Sequence, residues 1–322
     1  MLHPGEIVTT RPAEYLDGSL EKITNLSPWR SWETERSMIS GGAIEHRPTY
    51  AHLIENVAIA GAHTYCGSAK EHRGYGQESL FLDFEDRNRI FDEASLVTTN
   101  YGSHYFGTYL QYDFPLALLP ENGATLISMT TKPFEHGKEY WSLCQLPGTD
   151  LVRTGIVRKL TTYTDNSENA SKAQRYVKLR SALRVTVGTK RRHKTAPGVF
   201  IRRGTTGELR LLENEREIET KLTELGFHIV DPETHSAREI VDLSLDAKVV
   251  IGVEGSQLSH AIFTIADGGS FLVLQPPHRF STTYKEYTDR LDMRFAFVVG
   301  ARSASGFTID FDDVKAMLDR LL

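Results

Sequence analysis

From Gly198 to Phe297 short apolar runs alternate with helical stretches, and this alternation constrains the fold more than any other feature of the chain. VFIRR, FHIVDPE, VVIGVEG, SFLVLQPP and DMRFAFVVG have strand length and are rich in β-branched and aromatic residues. LLENEREIETKLTELG, SAREIVDLSLDA and SQLSHAIFTIA, with helical spacing, lie between the first four. Gly226 is a stop for the first helix, and Ser236 with Glu239 has the spacing of a capping box for the second. DFDDVKAMLDRLL predicts a closing amphipathic helix with Val314, Met317, Leu318 and Leu321 on one face. Such a pattern predicts an α/β fold with a parallel sheet and right-handed crossovers, a Rossmann-like unit.

Within it, KVVIGVEGSQLSHAIF is a buried strand that breaks at Gly252, Gly255 and Ser256 and restarts as a helix. Open α/β sheets bind ligands outside the carboxyl ends of their strands, and a helix start there directs N–H groups toward anions. Arg202 and Arg203 end the first strand, Asp231 and Glu233 the second, Glu254 to Gln257 the third, and Gln275 to Arg279 the fourth. Arginine beside a helix start suits a diphosphate, because a planar guanidinium pairs two oxygens at once. Arg202 and Arg203 alternate sides if the strand continues, so one of them is expected to reach the ligand. GTTG follows the first strand in place of GxGxxG, and no GxxxxGK[ST] exists, which argues against the common dinucleotide and P-loop sites.

Upstream, residues 1–47 read as irregular, with Trp29 and Trp32 as packing anchors. AHLIENVAIAGAH suggests short strands, and SLFLDFEDR is a further strand candidate whose acids Asp83, Glu85 and Asp86 fit a solvated strand end better than a metal site. TTNYGSHYFGTYLQYDFPLALLPE predicts a helix from near Ser103 that Pro115 ends or kinks, with His104 and Thr108 on one face and Asp113 about a turn beyond. ATLISMTT and YWSLCQLPG alternate with loops as in a βαβ unit, and GIVRKLTTYTD is a strand candidate. The basic helix ASKAQRYVKLRSALR and the run KRRHK read as a solvated inter-domain linker rather than a polybasic patch. Two domains follow, 1–195 and 196–322.

A net charge of −5 argues against nucleic-acid binding by bulk electrostatics, and two cysteines are too few for a disulfide scaffold or a cysteine metal site. The polar start and the lack of a long apolar run lead to the expectation of a cytoplasmic protein without a transmembrane segment, with peripheral association at the inner face of a membrane left open.

FIRRGTTGELRLLENEREIETKLTELGFHIVDPETHSAREIVDLSLDAKVVIGVEGSQLSHAIF resembles the second half of glycosyltransferase family 61. The family pattern falls on Arg203, Arg210, Asn214, Glu215, Gly226, Phe227, Pro232, Glu233, Ala247, Gly252, Gly255, Leu258 and Phe263. NYGSHYFGTYLQYDFPLALL is similar to the family's upstream "HW…D.LP" segment. The chain departs from the family where Glu254 stands for a histidine, His260 for an asparagine, Thr108 for the upstream histidine and Gln275 for a glutamate. The resemblance implies a GT-B-like architecture, two Rossmann-like domains facing a central cleft, with the donor nucleotide held mainly by the C-terminal one. It implies inverting transfer of a sugar from a nucleotide-sugar donor to a glycan or glycolipid acceptor in surface-polysaccharide synthesis, as in bacterial members, with no metal and no cofactor.

On this reading Arg203, Gly255 and Ser256 hold the diphosphate, supported by Arg202 or Arg210, Glu254 receives a sugar or ribose hydroxyl or serves as base, and Gln257, Gln275, His278 and Arg279 complete the donor site. Inversion requires a base for the acceptor hydroxyl, and Asp113, His104 and Glu254 are the candidates. A catalytically inactive relative that binds nucleotide or glycan as a subunit is the alternative. A nucleotide-sugar epimerase is disfavoured by the missing GxGxxG and Tyr-x-x-x-Lys.

Overall fold

The computed structural model describes residues 1–76, 89–204 and 210–322. SLFLDFEDR, with Asp83, Glu85 and Asp86, and most of GTTG lie outside them. The fold is mixed α/β and divides into two compact units, Met1–Glu6 with His46–Leu179 and Ile7–Glu45 with Arg180–Leu322. Among the described residues no helix is long and apolar enough to cross a membrane.

The first unit holds a seven-stranded mixed sheet. Its strands are β1 (Tyr50–Ala60), β2 (His63–Cys66), β3 (Ala69–His72), β4 (Ile90–Leu96), β5 (Leu126–Ser128), β6 (Asp150–Leu151) and β7 (Thr154–Thr164). They lie in the order β3-β2-β1-β7-β4-β5-β6. β1 is antiparallel to β2 and β7, whereas β4 runs parallel to β5 and β7. The sheet is thus not the all-parallel one of a Rossmann-like half. AHLIENVAIAGAH forms a single long strand that turns at Gly61. ATLISMTT supplies β5, but YWSLCQLPG contains the end of helix α1 (Glu135–Leu143), which buries Tyr140 and Leu143.

The segment expected to be one helix from Ser103 starts earlier and is interrupted. Thr99 caps Asn100–His104 through Gly102 N–H, Tyr105 is extended, and Tyr109–Asp113 forms a π turn before Phe114–Leu116. Pro115 has no N–H for the carbonyl of Gln111, which accepts from the buried Tyr176 hydroxyl at 2.7 Å instead. A wider turn with that substitute donor is one of the recognised causes of a helix irregularity. His104 and Thr108 therefore do not share one continuous helix face.

Helix α2 (Ala170–Thr186) is the predicted basic helix, but it is not a solvated linker. Lys172 pairs with Glu168, Arg175 makes a two-pronged contact with Asp165 at 2.9 and 2.8 Å, and both cations are buried. Buried charges persist only when paired, and these are. Nor is KRRHK a free patch. Arg191 donates to the carbonyls of Asp242 and Leu245, and the Asp242 carboxylate accepts from Arg192 N–H and contacts His193.

The second unit holds a five-stranded sheet of β8 (Gly198–Ile201), β9 (His228–Val230), β10 (Val249–Val253), β11 (Ser270–Gln275) and β12 (Arg294–Val299), all parallel, in the order β9-β8-β10-β11-β12. The connecting helices are α3 (Glu215–Glu224), α4 (Ala237–Ser244), α5 (Ser259–Thr264), α6 (Thr283–Arg290) and α7 (Phe311–Leu321). The capping box of Ser236 and Glu239 forms, and Gly226 takes a positive φ just past α3. Val314, Met317, Leu318 and Leu321 of α7 pack with Phe200, Ile251 and Leu272 of the sheet in one core. Arg180 reaches from α2 to the carbonyls of Ile262 and Ile265, so a guanidinium meets the negative end of α5.

The N-terminal stretch is ordered rather than irregular. It contains two short strands, Glu6–Thr10 and Gly42–His46, and a helix, Trp32–Ser40. Glu14 extends the sheet at β12, donating to Phe295 O and accepting from Phe297 N, while Arg294 grips its carboxylate at 2.6 Å. Trp29 and Trp32 are 84% and 43% exposed, so neither is a packing anchor. The anchor is instead Glu35, fully buried, which pairs with Arg30 and accepts from Thr282 N–H at 2.9 Å.

Candidate active site

In the order β9-β8-β10-β11-β12 the strand sequence reverses between β8 and β10, the place where open α/β sheets leave a crevice for ligands. Gly252 permits the close approach there, since a Cβ on it would stand 2.7 Å from Ile201 O. Beyond the strand ends the two arginines diverge. Arg202 turns to Glu219 and Asp231, with Nε and Nη2 on the Glu219 carboxylate at 2.5 and 2.6 Å. Arg203 turns to the β10 turn, where Nη1 donates to Gln257 Oε1 at 3.0 Å.

The Arg203 guanidinium lies against Gly255. A Cβ there would be 2.2 Å from Nη1, so only glycine lets the guanidinium sit against this backbone. The turn is fixed from behind by Tyr284 of α6, whose buried hydroxyl donates to Gly255 O at 2.6 Å and lies 3.1 Å from Ser259 Oγ. Ser256, half-buried, opens the short turn Ser256–Leu258. Arg210 donates to Glu254 O at 2.7 Å and pairs with its carboxylate at 3.1 Å. The residue in place of the family's histidine therefore clamps an arginine of the site.

Burial, then the nearby charges of Arg210 and Arg279, hold the Arg203 pKa below the usual guanidinium range, against the pull of Glu254. The guanidinium groups of Arg210 and Arg279 thus act on that of Arg203, while Arg210 pairs with the Glu254 carboxylate. His278 is kept below the ordinary imidazole value by burial and by Arg302 and Arg279, so it stays neutral at pH 7. Gln275 is fully buried and engaged: its amide donates to Ser281 O at 2.7 Å and accepts from Ser281 N–H at 3.3 Å. Both bonds tie it to the loop that follows His278 and Arg279. Asp231 and Glu233 are likewise occupied near Arg202 and Gly204.

In the first unit, Asp113 is 1% exposed. One carboxylate oxygen accepts from Thr99 N–H at 3.1 Å and from Thr99 Oγ1 at 2.6 Å, while the carboxyl packs on Gly102, where a Cβ would be 2.1 Å away. Burial pushes its pKa up to about 8, against the Thr99 bonds and the charge of Arg73. His104 is half-buried; its Nδ1 lies 2.8 Å from Asn100 O and 2.9 Å from Ser103 Oγ. Among the described residues no cluster of His, Cys, Asp and Glu suited to a metal ion exists. Residue patterns missed Tyr284, because α6 itself carries too few apolar residues to stand out, and Thr99, whose signal was its N-cap position.

An open parallel sheet with arginines gathered at its switch point defines a class of α/β enzymes that handle phosphorylated ligands. The family model of glycosyltransferase 61 matches residues 112–272, half of the chain; the protein belongs to that family and is a glycosyltransferase. Membership implies a nucleotide-sugar donor and a glycan acceptor. No curated protein matches the chain significantly.

Proposed function

We propose that this glycosyltransferase transfers its sugar with inversion from a nucleoside-diphosphate donor whose diphosphate lies on Arg203, Gly255 and Ser256, with Arg210 and Arg279 in support. The observation that carries this reading is the guanidinium of Arg203 seated on Gly255 among like charges. As the bond to the sugar breaks, negative charge grows on the leaving diphosphate, and prepositioned arginines stabilise it without a metal ion. Arg202, saturated by Glu219 and Asp231, holds the strand end and stays out of the ligand contacts.

His104 is the proposed base. It is partly exposed, whereas Asp113 is buried and protonated below about pH 8, and Glu254 is engaged by Arg210. The GT-B organisation, the cytoplasmic location and the role in surface-polysaccharide synthesis implied by the resemblance belong to the same reading.

The test is a thermal-shift series with UDP, GDP, CDP, dTDP and CMP, with and without magnesium. A ligand at a hundred times its Kd raises stability by ~2.7 kcal/mol. One diphosphate is expected to shift the melting point independently of magnesium, and Arg203→Ala to weaken it by ~1.5–3 kcal/mol. Unchanged affinity in that variant would remove Arg203 from the site.

A further inference from the structure

In the first unit three surface segments are stitched together by backbone bonds. Tyr75 N–H donates to Thr130 O at 2.6 Å, and Lys132 N–H donates to Ser103 O at 2.9 Å. The result is a fixed surface rather than a set of loose loops. On it the ammonium of Lys132 lies over the faces of two tyrosines, 5.4 Å from the ring centre of Tyr75 and 5.7 Å from that of Tyr105. Both tyrosines are exposed, at 38% and 56%. His104 meets Tyr75 edge-on at 5.2 Å, continuing the aromatic surface to the proposed base.

Two features distinguish this arrangement from ordinary surface packing. Among the described residues no carboxylate pairs with Lys132, although most other cations of this unit, such as Arg73, Arg89, Lys159, Lys172 and Arg175, have one. Exposed tyrosine faces leave apolar area in water that a flat, partly apolar ligand would cover. Sugar rings have such a face, and the hydroxyls at their rim match the phenol, imidazole and ammonium groups. The ammonium adds a requirement for negative charge, since a cation poised on aromatic rings and lacking a counter-ion favours an anionic partner.

We propose that the surface of Tyr75, Lys132 and Tyr105 is the acceptor subsite, and that the acceptor it holds is an acidic glycan, with the negatively charged sugar against Lys132. The sugar ring stacks on a tyrosine face and the ammonium meets its acidic group. This assignment rests on the proposed role of His104 beside it, and it is independent of where the donor diphosphate binds.

The test uses the full chain on an array of length-matched oligosaccharides, uronic-acid-containing and neutral, with Lys132→Gln and Tyr105→Ala as variants. The wild type is expected to retain acidic oligosaccharides in preference to their neutral counterparts. Each variant is expected to lose roughly tenfold or more of that binding, the effect of a lost charge-assisted or stacking contact, with an unchanged melting temperature. Retention of no acidic oligosaccharide, equal retention of the neutral ones, or undiminished binding by Lys132→Gln would overturn the assignment. The diphosphate-induced thermal shift, read on the same preparations, is expected to be unaffected by either variant. Its absence from the wild type would count against the donor reading alone.

Discussion

Replacing Asp113 with asparagine is expected to flatten part of the pH dependence of stability. Asp113 is 1% exposed, and burial raises its pKa from 3.8 to about 8. The folded protein therefore keeps a proton that the unfolded chain releases near pH 4. Between those values the unfolded state binds fewer protons, so this contribution is full below about pH 4, falls as pH rises and levels off above about pH 8. Each unit of pKa difference is worth ~1.4 kcal/mol. The whole gap sets a ceiling of roughly 6 kcal/mol, and relaxation around a charged carboxylate would bring it nearer 2–3 kcal/mol. Asparagine has the same size, so it preserves the contact with Gly102, and its carbonyl still accepts from Thr99. It does not titrate. Melting of the two proteins at pH 5 and pH 8.5 isolates the term, because every other group is common to both. Between pH 5 and pH 8 the term changes by ~2–4 kcal/mol, which corresponds to roughly 5–15 °C for a unit of this size. Asparagine is thus expected to gain on the wild type by several degrees at the higher pH. Melting points that move in parallel, or a wild type that gains with pH, would refute the buried-proton argument.

His104→Ala is expected to abolish sugar transfer while leaving the diphosphate thermal shift in place, with Asp113→Asn retaining transfer; the opposite pattern moves the base to Asp113. Gly255→Ala is expected to displace Arg203, since the new Cβ would lie 2.2 Å from its Nη1. The loss of diphosphate affinity is expected to approach that of Arg203→Ala, ~1.5–3 kcal/mol by calorimetry, and full affinity would show that the seat on Gly255 is unimportant.

The C-terminal sheet was legible because its signals are local. Five apolar runs, a capping box and a glycine stop each act within a few residues, and β8 to β12 follow them. Helix α6 was not, because TTYKEYTDR buries Lys285 and Thr288 along with its tyrosines and so carries no apolar stripe. The edge contact of Glu14 with Phe295 and Phe297 joins positions some 280 residues apart through backbone atoms, which leave no mark on side-chain pattern. Trp29 and Trp32 were misjudged by residue type alone, as the interior position went to the Arg30–Glu35 pair. At the site, the divergence of Arg202 and Arg203 followed from strand alternation. The pairing of Glu254 with Arg210 did not, since nothing in the spacing of residues 44 apart shows that they meet.

The contacts of residues 24–27 bear on how the molecule is made. Thr24 and Asn25 donate backbone N–H groups to Pro277 O, Phe280 N–H donates to Asn25 O, and Ser27 N–H returns to Phe280 O. The loop with His278 and Arg279 is thereby framed by chain synthesised some 250 residues earlier. During translation the early segment has no partner until some 250 further residues have been made. Closure of so long a loop is entropically demanding, and pairings of such high sequence separation form late and slowly. The arginine-bearing loop is therefore expected among the last parts of its unit to take shape, since its frame closes only across that separation.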